Sequence, residues 1–436
     1  MMKTVNLKNM FSLKSILIIW MLLLPIIANA DTNITIDGIK YRVNDSKKTA
    51  SVISNGYSGN IIIPSKIDYS GITYTVNSIG ARAFAKSDIT SIDIPETVKA
   101  IGEEAFQECE GITSVKLPKD LSKIEERLFS NSTITEIVIP DKVTFVARSA
   151  FESCARLSSV IIGEKVDSID YRAFSGCIRL AFPKIPNSVT YIGGYAFFNC
   201  KSMEIVNIPN SVVYLGSCCF WYCSGIKSVT IGDGLTSIPE KAFYDCTNLE
   251  SITWGNNISS IGESAFWNTG LTSIVIPNCV KKIGKNAFYD CAKLTTVDTG
   301  NGVTDIEDNA FYRCRELNTI TFGNHVTSIS NGVLDVCKNI KTIISLNTTP
   351  PYIKSKTFQS YHYSVPLQVP IGSKEAYQND MYWKNFTNIN ETDQTGIQSI
   401  SLDIDKGSSF YDLNGRKVER PQKGINIIEG KKVLVK

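Results

Sequence analysis

The stretch Ile101-Gly102-Glu103-Glu104-Ala105-Phe106-Gln107-Glu108-Cys109-Glu110-Gly111-Ile112-Thr113-Ser114-Val115-Lys116-Leu117-Pro118 states once a pattern that the chain repeats about a dozen times. Aligned on the phenylalanine at its centre, the sequence gives Phe84, Phe106, Phe129, Phe151, Phe174, Phe197, Phe220, Phe243, Phe266, Phe288 and Phe311, with Leu334 and Phe358 continuing the register. The intervals are 22 or 23 residues, and the last is 24. Other apolar positions keep the same phase. An aliphatic stands five residues before each anchor, as in Ile79, Ile101, Ile124, Val146 and Ile169, and another stands eight before, from Val76 and Val98 to Val303 and Val326. Downstream lies an alternating pair such as Val115/Leu117, Ile137/Ile139 or Ile274/Ile276, closed by Pro118, Pro140 and Pro277. Alternation at period two ended by proline marks a short strand.

A coil of this length cannot bury its apolar side alone, so the coils must stack. The fold expected is α/β: a solenoid of about 13 coils with a parallel sheet, short helical turns at the anchors and a cap at each end. Residues 31–75 read as an N-terminal β cap, 76–365 as the solenoid, 366–393 as a C-terminal cap and 394–436 as a β-hairpin tail. Within the first cap, Asp37-Gly38 sits between alternating runs as a hairpin turn; in the tail, Asn414-Gly415 and Glu429-Gly430 do the same.

Residues 1–30 read as a secretory signal peptide, with Lys3, Lys8 and Lys14, an apolar run from Ile16 to Ile27, and Ala28-Asn29-Ala30 before Asp31. The run is short for a membrane span, and no other stretch is long enough. The net charge of +3 falls to zero without this segment, which removes any global attraction to nucleic acid. An exported protein with twelve cysteines invites disulfides. Nine of them, however (Cys109, Cys154, Cys177, Cys200, Cys223, Cys246, Cys291, Cys314 and Cys337), stand three residues after an anchor. Stacking puts them in one inward row with parallel Cβ directions, poor geometry for bridging. They read as buried, reduced small hydrophobes. Three shorter coils carry Ser87, Ser132 and Thr269 there.

The coil Ile101 to Pro118 resembles the repeat of the BspA-like, Treponema-type leucine-rich-repeat surface proteins of Bacteroidetes, and the tail resembles the end of a type IX secretion sorting domain. The resemblance implies a right-handed solenoid, display at the cell surface, and adhesion to host matrix proteins or other microbes. Pro183, Leu334, Trp254, Thr299 and Ser345 depart from the pattern.

Chemistry-bearing motifs are missing. His325 and His362 are the only histidines, in a variable turn and in the irregular last coil, and no metal-ligand spacing, Walker loop or dinucleotide fingerprint occurs. The chain is expected to be no enzyme and to hold no cofactor or metal. A ligand-binding candidate is the residue after the anchor, aromatic in six consecutive coils: Phe198, Trp221, Tyr244, Trp267, Tyr289 and Tyr312. The five coils before have Ala85, Gln107, Ser130, Glu152 and Ser175. The row is either a platform for a host or microbial surface protein or a polysaccharide, or a packing ladder that stiffens the solenoid. These correspond to two functions, a surface binding protein and a structural envelope protein without a discrete ligand.

Overall fold

The alternating residues behind each anchor form strands that pair in parallel and in register from coil to coil. Residue and counterpart are 22 or 23 apart, as in Glu136↔Ser159, Ile137↔Val160 and Val138↔Ile161 and again in Val229↔Ile252. The computed structural model describes residues 31–181 and 183–393, and beyond them the backbone of four short strands. A second, narrower parallel ladder joins two-residue strands such as Lys123–Ile124, Phe145–Val146, Ser168–Ile169, Tyr191–Ile192 and Tyr214–Leu215. Between Ser159–Ile161 and Ile205–Ile208 the main ladder is interrupted among the described residues. Pro183, which has no N–H to give, stands in that gap.

The segment around each anchor was expected to make a helical turn, and it is a run of consecutive β-turns instead. Two residues per coil, two before and two after the anchor, take left-handed backbone angles: Arg82 and Lys86 (φ 56° and 59°), Glu104 and Glu108 (56° and 55°), and so on to Gly332 and Val336. Hydrogen bonding supplies the reason. The N–H groups of Arg82, Phe84 and Lys86 reach the carbonyls of Glu103, Ala105 and Gln107 in the next coil at 2.8–2.9 Å, while those of Ala83, Ala85 and Ser87 close turns within their own coil. A helix would spend those donors on its own carbonyls and leave neighbouring coils unjoined. Left-handed geometry costs a non-glycine residue about 1 kcal/mol; here it converts the turn into a third inter-coil ladder. Coils also approach closely beside it. A Cβ added at Gly102 would lie 2.4 Å from the Ala81 nitrogen.

Inside, the eleven phenylalanines from Phe84 to Phe311 form one column, each successive pair 5.0–5.5 Å apart with planes within 10°. Leu334 is buried in the same row. The cysteine row runs beside it. Every one of its nine thiols donates to the anchor carbonyl of the preceding coil, from Cys109 to Phe84 O at 3.0 Å to Cys337 to Phe311 O at 3.1 Å. All twelve cysteines are free. Ser87, Ser132 and Thr269 keep the row polar by setting a hydroxyl against the thiol of the next coil.

The departures from the pattern are also accommodated. Thr299 is buried and accepts from the Gly323 N–H. Ser345, equally buried, shares a hydrogen bond of 2.6 Å with the Tyr377 hydroxyl of the C-terminal segment. Half-buried Trp254 packs edge-on against Phe266 at 5.7 Å.

Both terminal segments join the ladders, so the solenoid runs past the expected 13 coils. Ser58–Ile62 pairs in parallel with Asp88–Asp93, and Tyr57 sits on Phe84 at 4.8 Å. At the far end Leu367–Pro370 and Ile389–Thr392 extend the main sheet, and Trp383, Tyr377 and Phe386 close the core. The Asp37-Gly38 turn joins Thr32–Ile36 to Ile39–Asn44 with both residues at positive φ. In the tail, Phe410–Tyr411 pairs antiparallel with Lys417–Val418, and Gly424–Ile428 with Lys431–Val435. The segment read as a signal peptide lies outside the described residues.

Three outcomes follow from this packing. Phe220→Ala, which opens a hole between rings 5.4 Å away on either side, is expected to lower stability by about 3–5 kcal/mol in urea. A thiol reagent should find one reactive cysteine in the native chain, half-exposed Cys279, and all twelve after denaturation without reductant; recovery only with reductant would mean disulfides. Stability should also have a plateau in pH. Burial drives Cys154 up to about 12 and Cys291 to about 11 from 9.0. Between those limits the folded state holds more protons than the unfolded, so stability falls as pH rises above about 9. Burial pushes His362 down from 6.5 to about 4. There the unfolded state holds more protons, and stability falls as pH drops below about 6.5. Urea midpoints between pH 3 and 11 measure both limbs.

Candidate functional site

Because each coil stacks on the next, the residue after the anchor forms a row, and the six aromatic residues of that row are brought together. All six are half-buried. Phe198 meets Trp221 edge to face at 5.7 Å, and Trp221 meets Tyr244 at 5.2 Å with planes tilted by 58°. From there the rings lie face to face: Tyr244 on Trp267 at 5.4 Å, Trp267 on Tyr289 at 3.6 Å, and Tyr289 on Tyr312 at 4.6 Å, with planes within 16°. In this half the facing surfaces of neighbouring rings cover one another.

Sequence reasoning missed that the strip is wider than one row. Tyr222, 43 % exposed, lies 5.9 Å from Phe198 and 5.3 Å from Trp221. Tyr195 bridges Phe198 and Trp221 at 5.7 and 6.1 Å and carries the strip back to Tyr171. Arg172 stands over both Tyr171 and Tyr195 at 5.3 and 5.4 Å, Arg148 over Tyr171 at 5.2 Å, and Glu152 pairs with Arg172 at 3.1 Å. These residues belong to neighbouring columns of the repeat, so reading the columns two and three places from the anchor for rings would have found them. A hydrogen bond with the Cys218 thiol and burial push the Tyr195 hydroxyl up to about 12. It stays protonated, a neutral donor, through the physiological range. Beside the row, burial raises Asp245 above the usual carboxylate range, against the pull of a hydrogen bond from Asn268 at 2.7 Å.

The main sheet offers a second surface. A groove of about 840 Å³ runs over Ser114, Lys116, Glu136, Val138, Ser159 and Ile161, where Val138 and Ile161 are 56 % and 61 % exposed. Its exposed apolar residues are β-branched, as good strand formers are, and stand among lysines and carboxylates; its lining has no Trp, Tyr or Arg anchor. The histidines are placed structurally. His325 Nδ1 lies 2.7 Å from the Asn301 carbonyl of the preceding coil, and His362 is buried against Phe358 and Tyr361. Among the described residues no cluster of three or more His, Cys, Asp or Glu is placed to hold a metal ion, and no helix is long and apolar enough to cross a membrane.

Parallel coils of 22 to 24 residues, a phenylalanine column and an aromatic outer strip define a leucine-rich-repeat solenoid, an architecture that typically carries no enzyme. Residues 77–188, 167–295 and 260–390 match the BspA type leucine rich repeat region, in six copies, and the chain belongs to that family. Membership in it points to a role in protein interaction. The chain is similar to a leucine-rich repeat protein from Bacteroides ovatus, 26 % identical over 67 % of this chain and 95 % of that one, with a TM-score of 0.36. A leucine rich cell surface protein from Faecalibacterium prausnitzii is 24 % identical over 72 % and 94 %, with a TM-score of 0.40. The pneumococcal vaccine antigen PcpA is 21 % identical over 84 % and 99 %, with a TM-score of 0.49. No curated protein matches the chain.

Proposed function

We propose that this chain is exported through its first thirty residues and displayed outside the cell, where the strip from Tyr195 to Tyr312 binds an extended segment of a host or microbial surface protein. One observation supports the reading above others. The strip concentrates Phe198, Trp221, Tyr222, Tyr244, Trp267, Tyr289 and Tyr312 on one side of consecutive coils, with Arg172 at its end. Trp, Tyr and Arg are the residues that dominate protein interfaces, and rigid rings lose little entropy on binding. A protein fits better than a polysaccharide here. Sugars stack on ring faces, and between Tyr244 and Tyr312 the faces are occupied by other rings. The edges and hydroxyls that remain suit backbone and side-chain hydrogen bonds.

The second reading, an envelope component without a discrete ligand, draws on the same stacking, since rings 3.6 Å apart brace neighbouring coils. Two sets of variants separate the readings on a matrix-protein and cell-surface-protein array. Tyr244→Phe, Tyr289→Phe and Tyr312→Phe together with Tyr222→Ser remove edge hydroxyls and an exposed ring while leaving the stack, and should weaken binding by about tenfold or more. Trp221→Ser, Tyr244→Ser and Trp267→Ser together should abolish it with the melting temperature within a few degrees. If the second set unfolds at a much lower temperature and the first binds as well as the parent, the strip is a brace and the envelope reading holds.

A further inference from the structure

The narrower ladder carries its own outward column, and that column is interrupted. Register places Lys123, Phe145, Ser168, Tyr191 and Tyr214 side by side on successive strands. Phe145, Ser168 and Tyr191 are half-buried, and Tyr214 is 50 % exposed. Tyr191 and Tyr214 stack at 4.8 Å with planes 4° apart, the ladder spacing itself. Between Phe145 and Tyr191 the rung is a serine. Two strand spacings separate these two residues, about 9.5 Å, and the ring that would fill the interval is missing.

Ser168 and its sequence neighbours put polar groups beside this slot. Ser168 makes no side-chain hydrogen bond among the described residues, and the exposed carboxylate of Asp167 beside it is likewise unpaired. Asp170, two residues on, acts electrostatically on Tyr191 and accepts the Tyr171 N–H at 2.6 Å with one oxygen. An aromatic side chain would satisfy the walls and leave the hydroxyl and carboxylates unused. A sugar ring uses both, since its C–H faces stack on aromatic rings while its hydroxyls donate to carboxylates and accept from a serine.

We propose that the slot between Phe145 and Tyr191 is a carbohydrate subsite that takes one pyranose ring as the missing rung of the column, its hydroxyls held by Ser168, Asp167 and Asp170. It lies on a different column from the protein-binding strip and does not depend on it. Recognition of a single residue by two faces and a few hydrogen bonds is weak, with a dissociation constant on the order of millimolar. A glycan gains by presenting the same residue many times to many copies of the protein.

The test is saturation-transfer NMR on the purified full chain with methyl glycosides of glucose, galactose and N-acetylglucosamine, and with N-acetyltryptophan amide as the aromatic control. At least one glycoside should show saturable transfer, strongest to its ring C–H protons. Ser168→Tyr builds the missing rung from the protein itself. It should abolish the transfer while keeping or raising the melting temperature, and the Trp221, Tyr244, Trp267 triple variant should leave the transfer unchanged. Should Ser168→Tyr lower the melting temperature, Tyr191→Leu, which removes one wall, gives the second reading and should weaken binding about tenfold. Absence of saturable binding by every glycoside, binding indifferent to both variants, or binding of the tryptophan amide alone overturns the proposal.

Discussion

Everything in this solenoid answers to the repeat of about 4.8 Å between hydrogen-bonded strands. Each side chain finds its own counterpart one coil away, so a column is stable only if its residues tolerate their own kind. Phenylalanine does so by stacking with a small offset, which is why the anchors stand at 5.0–5.5 Å rather than at the strand spacing. Isoleucine and valine do so by shape. Charges do not, and the outer columns show the remedy. Arg82, Glu104 and Arg127 alternate in sign, with Glu104 2.5 Å from one arginine and 3.4 Å from the other. Lys99, Asp120 and Lys142 repeat the arrangement, and the flanking ammoniums lower Asp120 to about 2. Exposed pairs of this kind contribute little to stability, because solvent screens them. Their larger effect is to avoid stacking like on like.

The same constraint decides what the turn region can be. A helical turn at the anchors would satisfy its own donors and leave a seam between coils. Alternating left-handed residues turn every second N–H toward the neighbour, at a cost of about 1 kcal/mol for each residue that is not glycine. The anchor carbonyl then has room for a second donor, and the cysteine of the next coil provides it. A thiol is small enough to be buried and polar enough to donate. Serine and threonine replace it only in the shorter coils, where their hydroxyls turn to the next thiol instead.

Much of this was legible in the sequence because columns are periodic. The anchors, the aliphatic ladders, the cysteine row and the aromatic row each follow from counting 22 or 23 residues. The turn geometry was not legible. Arg82, Glu104, Tyr195 and Lys241 have no preference for left-handed angles, and take them because inter-coil hydrogen bonds over-determine the backbone. Nor does a list of aromatic residues say whether their faces are free. That depends on ring tilt, which separates the edge-to-face contact at Phe198 from the close stack of Trp267 on Tyr289. Tyr171, Tyr195 and Tyr222 escaped notice because they stand in columns that are aromatic only once, so no period announces them.

Columns also divide the labour between folding and binding. Inward positions must repeat, and a substitution there is felt by the coils on both sides. Outward positions are free to change from coil to coil, as the move from Ser175 to Phe198 and the return to Asp335 show along a single row. A surface is therefore written in rungs, and its chemistry turns on whether a run of rings is unbroken. A continuous run hides its faces and offers edges and hydroxyls, which suit a polypeptide. A run broken by one small residue opens two faces across one missing rung, which suits a ring. The stack from Tyr244 to Tyr312 is of the first kind, and the interval at Ser168 is of the second.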